Sequence, residues 1–226
     1  SPLPLLKKVT GSLKYKDGDG FFEIIKGRFK DLPIANLKGT VHSMMNNPVA
    51  DLSLENEVQM RELNHALKKV IKGESFEDIL DDYENVSGKG FLKVKFQGPL
   101  EELAKAAITG ALSVKDVSFY DTELKSKVKN FNGEIFYRHV PQEKQMEGQV
   151  PVPIVTFKNL MGNFGKSSFY NMQGEILRKG KNTVRKMNAM YRLNVDALPN
   201  IIGDIDFSGP LFAMIKQADF KEGDLE

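Results

Sequence analysis

The sequence predicts a mainly β protein with a few helices, an α+β fold built around a long twisted antiparallel sheet. Short segments alternate apolar and polar residues, which is typical of strands with one apolar face. Clusters of Gly, Asn and Asp separate these segments at spacings that suit antiparallel hairpins. A stretch near the start also recurs 135 positions later without a gap. Internal repetition indicates a modular fold, and it favours a binding surface over a single catalytic constellation.

The repeat consists of three matched blocks that keep the same order along the chain. Residues 11–15 match residues 133–137 at an offset of 122, and residues 96–100 match residues 207–211 at an offset of 111. The ungapped block between them holds five identities at an offset of 135, which pair Phe22, Gly27, Phe29, Asn36 and Gly39 with Phe157, Gly162, Phe164, Asn171 and Gly174. We therefore predict a first unit over residues 1–132 and a second, truncated unit over residues 133–226, joined in one continuous sheet. The second unit stops in the middle of the pattern, so we expect the chain to be a fragment of a longer protein.

The strands follow from alternation and the turns from local chemistry. Residues 92–96, 111–119, 191–195 and 205–207 alternate, and Lys115–Asp116 predicts a bulge inside the second of these segments. Turns are predicted at residues 17–20, 46–48, 130–133 and 179–182.

One helical insert interrupts the strands at about residues 58–83. Leu63, Ala66, Leu67 and Val70 recur at helical spacing, and a second short helix is predicted to begin at Ser75. A further short helix is predicted from Pro99 to Ala107, with the proline in its first turn. The second unit lacks the longer insert.

Composition excludes several classes of function. The chain has no Cys, which removes disulfides, zinc–thiolate sites and thiol nucleophiles, and its net charge of +2 lacks the basic bias of nucleic-acid binders. The three His residues are scattered and have no neighbours at metal-ligand spacing. Neither a phosphate-binding glycine loop nor a nucleophile elbow is present. The sequence therefore predicts a protein that is not an enzyme, with no catalytic residues, no metal, no cofactor and no nucleic-acid partner.

A basic cluster surrounds the turn predicted near residue 180. Arg178, Lys179 and Lys181 belong to this cluster and could contact phosphate headgroups or an acidic partner. A solvated hairpin tip explains the same residues more plainly.

The ordered blocks resemble a known family. Each unit opens with a Gly-x-Leu/Ile-x-Tyr strand and continues through a Gly-x-Phe segment to the strands around Gly39 and Gly174. Together with residues 108–119 and 128–135 between them, these blocks are similar to the AsmA-like family of bacterial envelope proteins, in particular its YhdP-like and TamB-like members, over nearly the whole chain. The resemblance implies a curled antiparallel sheet with an apolar groove that helps to move phospholipid between the inner and outer membranes. It also implies a periplasmic location within a protein anchored in the inner membrane by a segment outside this chain.

Alternation and the resemblance together predict a lipid-binding segment for phospholipid or another acyl-chain lipid. The alternative is a structural or interaction module of the envelope whose sheet closes into an ordinary sandwich core, since both arrangements need the same alternation. A third hypothesis is an assembly factor that pairs its sheet edge with client strands. The predicted groove lining is Leu92, Val94, Phe96, Leu112, Val114, Leu193, Val195, Ile205 and Phe207.

Overall fold

The computed structural model describes residues 6–29, 32–70, 83–102, 105–122, 125–139, 154–179, 182–194 and 224–225. Its strands follow one another in the sheet in sequence order, and each is antiparallel to the next. The elements are β1 (Leu6–Lys16), β2 (Asp19–Phe29), β3 (Leu32–His42), β4 (Val49–Gln59), α1 (Met60–Val70), β5 (Tyr83–Pro99), β6 (Ala107–Asp121), β7 (Ser126–His139), β8 (Ile154–Phe164), β9 (Ser167–Lys179), β10 (Asn182–Asn194) and β11 (Asp224–Leu225).

The predicted fold class is confirmed. Among the described strands, β1 pairs only with β2, so the sheet does not close on itself. Strands β1 to β10 form its body, and the two residues of β11 pair with the end of β10. The sheet is a meander, in which each described strand pairs with the described strand that follows it in the sequence.

The sequence repeat maps onto matching strands. The offset of 135 residues also relates β2 to β8 and β3 to β9, because the two strands of each pair begin 135 residues apart. Phe22 lies opposite Gly39, and their repeat partners Phe157 and Gly174 also lie opposite each other. β7 holds the residues that match β1, so the pattern returns after six strands. The sequence boundary between residues 132 and 133 lies inside β7, and the sheet continues through it.

A line of β-bulges crosses the sheet from β5 to β9. Each of these strands has one residue with a φ of 51° or 52°, namely Asn85, Asp116, Asn130, Asn159 and Asn171, and the strand register shifts beside them. Bulges bend a strand and increase its twist, and Asn and Asp tolerate positive φ better than most residues. The predicted bulge at Lys115–Asp116 is thereby confirmed.

One local prediction was wrong, and another was wrong in its bounds. Residues 130–133 do not form a turn, because they lie within β7, where Asn130 is the bulge residue. Pro99 ends β5 and Ala107 begins β6, so neither belongs to the short helix predicted from Pro99 to Ala107. Between them Lys105 has a 3-10 conformation, and its amide donates to the Glu102 carbonyl at 2.9 Å; residues 103–104 lie outside the described residues.

The helical insert is confirmed over the residues that the structure describes. α1 covers Met60–Val70, within the predicted range of 58–83. Its apolar residues follow helical spacing, and Leu63 and Ala66 are buried. The second helix, predicted from Ser75, lies outside the described residues.

Candidate functional site

One face of the sheet is largely apolar from β1 to β9, and we call it the apolar face. On β10, Arg185 lies opposite Ile176 and ends the apolar row. Directly opposed residues in antiparallel strands share a face, so the strand register identifies its members. Its central row crosses nine strands through Gly11, Ile24, Leu37, Leu54, Val94, Gly110, Tyr137, Val155 and Ile176. Nine strands spaced about 4.8 Å apart make this row about 40 Å long.

Two further rows flank the central row on the same face. One contains Leu13, Phe22, Gly39, Leu52, Phe96, Ile108 and His139. The other contains Asn56, Leu92, Leu112, Ile135, Phe157, Gly174 and Met187. Rows lie two residues apart along each strand, so the three rows span about 14 Å. The apolar face is therefore a long strip that runs across the strands.

Asn56 is a polar residue within this strip. Its side chain is buried, and its amide donates to the Pro33 carbonyl at 2.6 Å. A buried amide with a partner is tolerated in an apolar setting. The strip therefore keeps its apolar character at this position.

α1 covers the strip at one side. We call the end of the sheet at the β1–β2 turn the upper end and the end where α1 leaves β4 the lower end. At the lower end, α1 packs with Leu32 and Val58, and Leu92 and Leu112 pack against the same cluster. Val58 is only 1% exposed. α1 therefore forms a wall along the lower side of β3 to β6.

An aromatic cluster continues this lower side under β5 to β9. Tyr83, Phe119 and Phe131 make edge contacts with centroids 5.1 and 5.3 Å apart. Phe131 also meets Phe169, which packs against Phe164 at 6.3 Å. Phe164 and Phe169 are buried among Val128, Phe157 and Leu160. The protein's own side chains therefore fill the lower end here.

Two connections border the upper end over β2 to β5. The Met44 amide donates to the Gly18 carbonyl at 3.0 Å, and a Cβ built on Gly20 would lie 2.5 Å from the Met44 sulfur. The connection between β5 and β6 places fully buried Ala106 against Gly98. These contacts give the strip an upper border opposite the wall made by α1.

Between these borders the apolar face is only half-buried. Leu52, Leu54, Val94, Ile108 and Tyr137 all retain intermediate exposure, although they lie on interior strands of the sheet. In a closed sandwich, inward residues on such strands would be fully buried. Among the described residues, no second layer covers this part of the sheet.

The opposite face is mainly polar and solvated, although Phe21 and Phe91 are exposed on it. Lys93 and Glu55 form an ion pair at 3.4 Å across β4 and β5, and Lys89 pairs with Glu57 at 2.9 Å. Lys186 pairs with Glu175 at 3.1 Å across β9 and β10. Exposed pairs of this kind contribute little stability, so their effect is to keep this face in water.

The surroundings of Tyr137 and Asp19 shift the pKa values of both side chains. Burial raises the pKa of the Tyr137 phenol, which lies in the central row of the apolar face. A hydrogen bond from His42 and another from the Ser43 amide lower the pKa of Asp19 at the upper border. His42 Nδ1 lies 2.7 Å from Asp19 Oδ2, so this pair ties the β3–β4 loop to the β1–β2 turn.

The structure brings together five of the predicted lining residues. Leu92, Val94, Phe96, Leu112 and Val114 share the apolar face through the register of β4, β5 and β6. Leu92 and Leu112 pack against the α1 cluster, and Val114 is buried, so Val94 and Phe96 lie nearest the uncovered part.

The other predicted residues are described in part or lie outside the described residues. Leu193 lies in β10, where it pairs with Leu225. Arg178 and Lys179 lie at the end of β9 and pair with Thr183 and Asn182. Lys181, Val195, Ile205 and Phe207 lie outside the described residues.

Several members of the strip were missing from the prediction. The residues absent from the predicted lining include Leu37, Leu52, Leu54, Ile108, Ile135, Tyr137, Val155, Phe157 and Ile176. Leu52–Ser53–Leu54 shows alternation that could have identified its two leucines. Ile135–Phe136–Tyr137 is a continuous apolar run, which does not reveal the face that each residue takes. Phe157 belongs to the repeat and could have been found from its partner Phe22.

Three further searches bear on the described residues and on the whole sequence. No group of three or more His, Asp or Glu side chains among the described residues could hold a metal ion. No helix among these residues has the length and apolarity that a membrane span requires. Comparison with protein-family models, with curated proteins and with solved structures found no match for this chain.

Proposed function

We propose that the apolar face binds the acyl chains of a phospholipid or another acyl-chain lipid. The observation that carries this proposal is the central row, which crosses nine strands and keeps intermediate exposure from β3 to β9. A hydrocarbon chain bound along this row and the apolar side chains beneath it would shield one another from water. The site needs no catalytic group, metal or cofactor for this task.

Dimensions support an acyl chain that lies across the strands. The row is about 40 Å long, whereas the acyl chains of one bilayer leaflet span about 15 Å. Each methylene removed from water contributes about 0.8 kcal/mol, so even a partly shielded chain gains several kcal/mol. The row therefore has room for more than one chain end to end, as a conduit requires.

The wider biological assignment follows from the family resemblance. We propose that the chain is a segment of an AsmA-like protein in the periplasm, anchored in the inner membrane by a part outside this chain. In that setting the strip would conduct phospholipid acyl chains between the inner and outer membranes. The proposed headgroup contacts are Arg178, Lys179 and Lys181. Arg178 and Lys179 end β9 at the upper end of the sheet, where the β1–β2 turn also lies.

The alternative is a structural or interaction module of the envelope. A closed sandwich core would require a second layer over the central row, and the exposure of Val94 and Ile108 argues against one within the described residues. A protein partner that covers the same strip would remain compatible with this exposure. Lipid occupancy distinguishes the two functions.

Gly110 offers a direct test because it lies in the central row with space above it. A Cβ there would meet only ordinary contacts, at 3.6 Å from the Tyr137 Cβ and 3.9 Å from the Lys93 carbonyl oxygen. Gly110→Asp should therefore fold and place in the strip a carboxylate that a bound acyl chain would have to desolvate. The matched control is Thr109→Asp, since Thr109 is the exposed neighbour on the polar face.

The measurement is native mass spectrometry of each variant purified from bacteria and incubated with a phospholipid of known mass. At a lipid concentration well below saturation, wild type and Thr109→Asp should carry the lipid equally. The occupancy of Gly110→Asp should be at least about tenfold lower, which corresponds to about 1.4 kcal/mol of binding free energy. A wild-type chain that stays lipid-free, or equal occupancy in all three proteins, would overturn the proposal.

A further inference from the structure

The outer edge of β1 has the features of a strand that lacks a neighbour. β1 corresponds to β7 at an offset of 122, and even their bulge residues, Lys8 and Asn130, match with φ values of 52° and 51°. β7 pairs with β6 on one side and with β8 on the other, whereas β1 has a described partner only in β2. The edge of β1 that is equivalent to the β6 side of β7 is therefore unoccupied among the described strands.

The apolar side chains of β1 are more exposed than their counterparts on β7, as expected for a strand with one neighbour. Leu13 is 67% exposed and Tyr15 is 58% exposed, although both belong to the apolar face. Their counterparts Ile135 and Tyr137, which have neighbours on both sides, retain only intermediate exposure. An added strand would cover Leu13 and Tyr15 in the same way, and it would pair with the edge backbone groups that no described strand reaches.

From this correspondence we infer that the β1 edge binds an antiparallel strand with the residue pattern of β6, supplied by another unit of the same repeat. The register of β6 on β7 fixes the expected pairing. Transferred to β1, it places Val114 opposite Gly11, Leu112 opposite Leu13 and Gly110 opposite Tyr15. These pairs repeat the contacts that β6 makes with Gly133, Ile135 and Tyr137.

The charges on β1 fit this occupant. On the polar face, the same register sets Ala111 opposite Lys14 and Thr109 opposite Lys16, so each of these lysines meets a small uncharged residue. A second copy of β1 paired about Gly11 would bring Lys14 against Lys8, and like charges directly opposite each other destabilise a strand pair. Pairing about Leu13 would avoid that contact, so the correspondence between β1 and β7, and not charge, is what favours a strand like β6. The inference does not depend on what the apolar face binds.

The test adds the missing strand by genetic fusion. A copy of residues 107–127, which contains β6, its connection to β7 and the first two residues of β7, is placed directly before Leu6 in place of residues 1–5. Leu6 then follows residue 127 as Val128 does in the natural repeat. The control carries the same twenty-one residues in scrambled order. Hydrogen exchange followed by mass spectrometry reports the protection of the β1 amides, and size-exclusion chromatography reports the oligomeric state.

We expect amide exchange in β1 to slow by at least about tenfold in the fusion and to stay unchanged in the scrambled control. Unchanged exchange in the fusion, or equal slowing in both proteins, would overturn the inference. Concentration-dependent protection of β1 in the unmodified chain, together with dimer formation, would also overturn it, because the occupant would then be a second copy.

Discussion

Substituting Val94 by Asp places a carboxylate in the middle of the central row, and Lys95→Asp places the same group on the polar face of the same strand. Val94 is half-buried, so the lost burial costs less than the roughly 1.5 kcal/mol of a fully buried valine. Because the strip is open, the carboxylate keeps part of its hydration. We expect Val94→Asp to lower the free energy of unfolding by about 1–2 kcal/mol and to remain folded.

The effect on lipid should be larger than the effect on stability. An acyl chain that covers the strip must desolvate the new carboxylate, so we expect affinity for a fluorescent fatty acid to fall at least about tenfold. Lys95→Asp should change stability by less than about 0.5 kcal/mol and leave binding unchanged. Urea unfolding followed by circular dichroism and a fatty-acid titration measure the two quantities. If Val94→Asp does not fold while Lys95→Asp does, the strip is a covered core, and the reasoning is refuted.

Three further outcomes test other parts of the structure. A Cβ on Gly39 would collide with a carbonyl oxygen of β4, whereas a Cβ on Gly110 meets only ordinary contacts. In urea unfolding, Gly39→Ala should therefore cost about 2 kcal/mol or more, and Gly110→Ala should be neutral or stabilising. Equal effects would contradict the register. Asn159 holds the bulge in β8 at positive φ. The same assay should show Asn159→Val destabilising the protein by about 1–2 kcal/mol, because a β-branched residue is strained there, and Asn159→Gly should show no such loss. Because the pKa of Asp19 lies below its ordinary 3.8, the stabilisation from its bond with His42 is present at neutral pH and is lost as pH falls below that value. The protection factors of the amides in residues 43–48, which correct for the slower intrinsic exchange in acid, should fall there in the wild type. An Asp19→Asn variant with the same pH profile would contradict this.

Alternation predicted the strands because a half-buried strand shows its period directly in the sequence. Leu92, Val94 and Phe96 therefore lie on one face, as expected, and helical spacing likewise located α1. The docking of α1 on Leu92 and Leu112 was not predictable, because it depends on the path of the chain after β4 and on the register of three strands. Residues that line the same strip on β3, β7, β8 and β9 required the strand order as well.

The failures share one physical cause. Asn and Gly satisfy positive φ in a turn and in a bulge equally well, so residues 130–133 carry the same signal for both. Proline suits the first turn of a helix and also the end of a strand, which is the position of Pro99 in β5. Only the pairing of the neighbouring strands decides between these alternatives.

The central claim is that the apolar face is open to water until a hydrocarbon chain covers it. The chain has no Cys, so Val94→Cys and Lys95→Cys each carry a single nitroxide label on opposite faces. Electron paramagnetic resonance reports label mobility and access to a water-soluble relaxation agent before and after adding phospholipid. We predict that lipid immobilises and shields the label at position 94 and leaves the label at position 95 unchanged. A label at position 94 that is already immobile and shielded without lipid would contradict the account.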